Sequence, residues 1–201
     1  DLARIFERTR ADQPMLKGRP VPVAEAVDAA RRLIGAARHP VALVSSWGSN
    51  EELESFKRHL GEVFSAHVKR DWLPEEGERV EDDLLIRPDK NPNTVKAREL
   101  FDDSDPAYHD GTDLVLVWGE GYDFARIPKQ AKVIFLNSYL APENGHADVF
   151  LPLSIQTERA GHYTNFQGVV SRFEPCFPKG EAVLDAEGLF KSLARPARGH
   201  P

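Results

Sequence analysis

The sequence predicts an α/β fold: a mainly parallel sheet flanked by helices, followed by an irregular C-terminal β flap. Three observations predict it. The runs TDLVLVWGEG (112–121) and AKVIFLNSYL (131–140) are continuously apolar and end in small or polar residues, as in parallel strands covered on both faces. Segments with helical spacing alternate with such runs in the first half of the chain. Beyond Pro152 the apolar runs give way to a polar stretch punctuated by glycine.

Between Pro20 and Arg38, Val23, Val27, Ala30, Leu33 and Ile34 recur near helical spacing, and His39-Pro40 stops the helix. VALVSS (41–46) follows as a strand. Ser49-Asn50-Glu51-Glu52 reads as a capping box, opening a helix that runs to about Phe64. Residues 66–69 form a second strand, and the acidic stretch 72–83 an exposed loop. In LLIRPDKNPNT (84–94), Pro88 and Pro92 forbid a long regular element, and 91–94 start a short helix ending near Phe101. A second acidic loop covers 102–111. ADVFLPL (147–153) is the third strand of the later series. Residues 162–165 and 169–173 flank Phe166-Gln167-Gly168 as a hairpin or two irregular edge strands. A last amphipathic helix covers 183–193. The expected organisation is one domain over 1–194 with a mobile tail at 195–201.

Composition narrows the function classes. The 26 Lys and Arg against 32 Asp and Glu give a net charge of −6, so no broad basic footprint invites nucleic acid. No apolar run approaches the roughly 20 residues a membrane helix needs, so no direct membrane insertion is expected. Cys176 is the sole cysteine, which excludes an internal disulfide, a CxxC pair and a cysteine-ligated iron–sulfur cluster within these residues. A reducing, cytoplasmic setting fits this usage. The chain begins at Asp1 without a signal segment, as expected of a fragment or processed product.

The turn from Ser45 through Ser46 and Ser49 to Asn50 joins a strand to a helix N-terminus, where amides could receive a phosphate. It is neither a Walker loop nor a GxGxxG fingerprint, and the capping box already uses those amides. Gly119-Glu120-Gly121 lacks the third glycine, Phe124 standing in its place. The seven histidines are scattered without ligand spacing. His162 reads as a loop histidine bonded to backbone, Cys176 as a packed small hydrophobe, and Glu158 and Arg159 as solvated charges. The residues by themselves mark no catalytic group and no metal site.

Four stretches together resemble a known family. They are Ser49-Asn50-Glu51-Glu52, the segment from Asp83 to Thr94, Leu114 to Glu120, and Ala147-Asp148-Val149-Phe150-Leu151-Pro152 continuing through Glu158, Gly161, Thr164-Asn165, Gly168 and Arg172-Phe173. In order they resemble the C-terminal molybdopterin-oxidoreductase-like region of the large iron–sulfur subunit of bacterial respiratory complex I, NADH-quinone oxidoreductase. The resemblance implies a formate dehydrogenase/DMSO reductase-like domain, with a structural and assembly role in an electron-transfer complex. It implies a shortened form with a vestigial pterin site: the link from Glu62 to Asp83 is brief, and Ala160, His162 and Gly168-Val169 depart from the family pattern. On it, Ser46, Ser49, Gly119, Glu120, Thr164 and Asn165 are the candidate cofactor-binding residues. No cofactor is expected in this segment: iron–sulfur clusters are expected upstream in the parent protein, and molybdopterin is not.

The partners so implied are other subunits of a respiratory or NADH-oxidising complex, placing the chain in the cytoplasm, peripheral to the inner membrane. Two alternatives stay open: a fragment of a molybdenum or tungsten formate-dehydrogenase-like oxidoreductase, and a free-standing nucleotide-binding module. The stretch 147–177 is expected to form a packed flap with Phe166, Phe173 and Phe177 in apolar contact. An open polar cavity lined by Glu158, Thr164 and Asn165 would instead make it a cofactor cradle.

Overall fold

Five of the predicted apolar runs pair side by side, and their order defines the architecture. The computed structural model describes residues 8–69 and 89–194. β3 (Pro40–Val44), β4 (Ser65–Val68), β5 (Leu114–Trp118), β6 (Lys132–Asn137) and β7 (Val149–Pro152) lie in the order β4-β3-β5-β6-β7, all parallel. A short hairpin, β1 (Met15–Leu16) and β2 (Arg19–Pro20), adds two antiparallel strands beyond β7, making a mixed seven-stranded sheet. Its two-residue turn places Lys17 and Gly18 at φ 48° and 74°, the double left-handed geometry that suits a tight hairpin. Sequence periodicity misses these strands because two residues are too few to show a period. The acidic stretch 72–83, residues 84–88 of the proline-rich segment and the tail 195–201 lie outside the described residues.

Alternate residues of each strand enter two different cores. Ala42, Val44, Leu114, Leu116, Trp118, Ile134, Leu136, Val149 and Leu151 pack beneath four helices: α1 (Val23–Ala36), α2 (Asn50–Leu60), α3 (Thr94–Leu100) and α4 (Ala186–Leu193). Leu43, Val115, Val117, Val133, Phe135 and Phe150 face the other way, against Ala11, Tyr122, Ile127 and Ala147. The α-helices described therefore share one face, while irregular segments and single turns of 3₁₀ helix cover the other. The strands nonetheless read as apolar throughout, because burial on both faces does not require helices on both.

Each helix has a local cause. α1 buries Ala26, Val27, Ala30 and Ile34, one face at helical spacing, and ends before the extended Ala37. α2 starts at the predicted capping box: Ser49 Oγ accepts from the Glu52 amide at 3.2 Å and Glu52 Oε2 accepts from the Ser49 amide at 2.8 Å. Phe56, fully buried on α2, anchors the helical core, with ring centroids of Phe190, Phe101 and Phe64 at 5.0, 5.7 and 6.1 Å. Each such aromatic pair contributes about 0.5–1.5 kcal/mol beyond area burial. Past Pro152, β8 (Gly161–Thr164) and β9 (Val170–Phe173) form a separate two-stranded antiparallel hairpin, the predicted flap.

Candidate functional site

In an open parallel sheet, ligands favour the crevice at the strand C-termini where chain order reverses. Here that point lies between β3 and β5, because the chain runs from β3 outward to β4 on one side and from β5 to β7 on the other. Ser45 and Ser46 leave β3 there, and Gly119 and Glu120 leave β5. The chain's own groups occupy the crevice. Lys69, buried at the end of β4, donates from Nζ to the Glu120 carbonyl at 2.6 Å, and Arg8 pairs with the Glu120 carboxylate. The Asn93 amide donates to the Ser46 carbonyl at 3.1 Å. Gly119 sits at φ 86°, and a Cβ there would stand 3.2 Å from Ser45 Oγ. Gly48 has a packing reason too: its Cβ would fall 2.6 Å from the Trp118 ring.

A second polar cluster joins the N-termini of α2 and α3 to the hairpin. Asn93 is fully buried; its Nδ2 donates to the Gly48 carbonyl at 2.8 Å and to Asn50 Oδ1 at 3.0 Å, while its Oδ1 accepts from the Thr164 amide at 2.8 Å. Asn50 Nδ2 donates to Thr164 Oγ1 at 3.0 Å. The Glu51 carboxylate accepts from the His162 amide at 3.0 Å and lies 2.5 Å from His162 Nδ1. Burial raises the Glu51 pKa, but the hydrogen bonds from His162, with those from the Glu51 amide and Ser49, together outweigh it and hold the carboxyl below its ordinary value. Gly161 lets the two elements meet, since a Cβ would stand 2.8 Å from Ser49 Cβ and 3.0 Å from the Phe173 ring.

The six sequence-selected residues thus fall in three places. Ser46, Gly119 and Glu120 border the switch-point crevice. Ser49 and Thr164 belong to the cluster that docks β8. Asn165 holds its own turn, accepting from the Gln167 and Val169 amides at 2.9 and 3.0 Å. Sequence reasoning passes over Asn93 and Lys69. The one signal for Asn93 is its position just before a helix start, and for Lys69 there is none.

Several smaller expectations are corrected. Phe166 and Phe177 are 61% and 65% exposed, so apolar packing by these rings does not seal the flap; Phe173 stacks instead on Tyr163, centroids 4.6 Å apart. Cys176 is exposed, because its segment is tethered at the backbone, where Thr157 O accepts from the Cys176 amide, leaving the side chain outside. His162 bonds a carboxylate rather than a carbonyl. Glu158 and Arg159 are not solvated: Arg10 holds Glu158 at 2.6 Å, and Arg159 Nε lies 3.0 Å from Glu52 Oε1. Arg159 also donates to the Ser154 carbonyl, five residues before it, at 2.5 Å and to the distant Trp47 carbonyl at 3.2 Å, tying its own loop to the turn that opens α2.

The Glu52–Arg159 pair floors a groove of about 630 Å³ between α2, α4 and the loops around 158–160 and 175–179. Burial pushes the Glu52 carboxyl upward, against the pull of the Arg159 charge and the Ser49 amide. Lys179 pairs with Asp185 across one side. Glu158 lines this groove, whereas Thr164 and Asn165 do not. Among the described residues no cluster of three or more His, Cys, Asp or Glu side chains is arranged for a metal ion, and no helix is long and apolar enough to cross a membrane.

No family model and no curated protein matches the chain. Its fold is similar to that of a chain in the X-ray crystal structure of the formyltransferase/hydrolase complex (FhcABCD) from Methylorubrum extorquens in complex with methylofuran. The match covers 90% of this chain and 97% of that chain, with 11% identity and a TM-score of 0.55. This likeness establishes a shared α/β fold. It overturns the expected membership in the family of the large iron–sulfur subunit of complex I, and with it the expected role in NADH-quinone oxidoreduction; it lends no support to the formate-dehydrogenase-like alternative or the nucleotide-binding module. The physical reason lies in the residues that carried the resemblance: the capping box starts α2, the Leu-Pro step ends β7, and Gly161 admits the hairpin. These are requirements of the architecture, which many activities can share.

Proposed function

We propose that the chain is a structural subunit of a multi-subunit complex that handles formyl groups, and that it meets its neighbours through the outer strand of the β8–β9 hairpin. One observation carries the subunit role. Phe166, Val169, Val170 and Phe177 are each more than half exposed, on or just beyond a hairpin whose inner strand is pinned to the body. Apolar side chains gathered on an exposed edge strand are a template for association. The formyl-transfer setting rests on analogy with the formyltransferase/hydrolase complex, whose matched chain corresponds to this one over nearly its whole length.

The test is to purify the tagged chain from its source cells, determine the mass and composition of its assembly, and assay the assembly for release or transfer of the formyl group of formyl-methylofuran. The expected result is a stoichiometric complex with that activity, dissociated by Val170→Glu. A monomer, or a complex inert toward formyl groups, overturns the proposal.

A further inference from the structure

The groove between α2 and α4 has a charge arrangement that its internal ion pairs leave incomplete. Arg159 pairs with Glu52, Lys179 with Asp185, and Glu158 with Arg10. Arg58, in the last turn of α2, and Lys191, in the last turn of α4, line the same groove without an ion-pair partner among the described residues. Glu187 lines it as well, four residues before Lys191. Both cations stand in the last turns of packed helices, where the helix C-termini favour positive charge.

We propose that this groove binds a small carboxylate that also carries an amine or hydroxyl donor, with its carboxylate on Arg58 and Lys191 and its donor toward Glu187. The inference does not depend on the subunit role. A volume of about 630 Å³ lies in the range of small-molecule sites, roughly 300–1,000 Å³. The guanidinium of Arg58 offers the forked donors that match a carboxylate, and Lys191 adds a mobile point charge. Glu187, the wall carboxylate without an ion-pair partner among the described residues, selects against a phosphate dianion by like-charge repulsion and accepts from the ligand's donor, while Glu158 and Asp185 stay with Arg10 and Lys179. The α2 N-terminus takes no part, because Ser49 and Glu52 already cap it.

The ¹⁵N-labelled chain is titrated with glycine, aspartate and lactate, and separately with inorganic phosphate, while backbone amide shifts are followed. Saturable shifts confined to α2 and α4 are expected with at least one carboxylate, weakened about tenfold or more, equivalent to about 1.4 kcal/mol, in the Arg58→Gln/Lys191→Gln variant. Thermal unfolding of that variant separates binding from structure: both changes lie on exposed helix ends, and a midpoint close to the parent's is expected. Absence of saturable shifts, equal binding of phosphate, or a variant that binds as the parent does while melting earlier each overturns the assignment.

Discussion

β8 and β9 are two strands of one hairpin, yet they are treated oppositely. β8 is fastened by polar groups: its Thr164 amide enters the buried Asn93 side chain, His162 meets Glu51, and Gly161 closes against Ser49. β9 leaves Val170 and its neighbour Val169 more than half exposed. Val169 and Val170 face water while the polar side chains of β8 face the protein, the reverse of what hydrophobicity alone dictates. Hydrogen bonds dominate docking where the contact is most buried, at Asn93 and Thr164, because an unmade bond there costs the desolvation of the group left alone.

The comparison can be broken at β8, starting with its strongest link. Asn93→Ala leaves the Thr164 amide and the Gly48 carbonyl without partners, so urea unfolding should show a loss of about 3 kcal/mol, with hydrogen-exchange protection in β8 lost first. Unchanged β8 protection would mean that the hairpin is held by something else. Gly161→Ala forces a methyl against Ser49, which the capping box fixes, and should cost about 1–3 kcal/mol. The check is again urea unfolding, with loss of the Tyr163–Phe173 stacking signal in near-ultraviolet circular dichroism.

A pH test follows, with a smaller effect. Because the Glu51 pKa is lowered on folding, its contribution is fully present above the ordinary carboxylate value of 4.5 and is lost as pH falls through the folded value. The side chain is partly exposed and solvent screens it, so the loss should stay under about 1 kcal/mol. Glu51→Gln should abolish this acid-dependent component of hairpin exchange; persistence of the same pH profile would place the titrating group elsewhere. Smallest of all, Val170→Ser on β9 should move the stability of the isolated chain by no more than about 0.5 kcal/mol. A larger loss would mean that β9 packs against its own chain.

Residues that reason by local rules were legible. The capping box at Ser49–Glu52, the apolar strands and the break after Pro152 all follow from spacing within a few positions, and the structure places them there. The ligand-like reading of the turns was not secure, because a glycine needed for close packing looks the same in sequence as a glycine needed for a phosphate. Gly48 yields to the Trp118 ring from a strand seventy residues away, and nothing near position 48 reports that neighbour. Arg159 likewise looks like a solvated charge until Glu52, Trp47 and Ser154 are seen around it.

By itself, then, the sequence determined that this is an α/β chain with a buried parallel sheet, a capped helix after its first parallel strand and a distinct C-terminal flap. Those features are written in periodicity, caps and breakers, which act over a few residues. The tertiary structure alone decided the strand order, the confinement of the described α-helices to one face, the filling of the switch-point crevice by Lys69 and Glu120, and the polar docking of β8. It also decided that Arg58 and Lys191 share a groove. Each depends on contacts between residues far apart in the chain, whose geometry is fixed only when the whole sheet has closed.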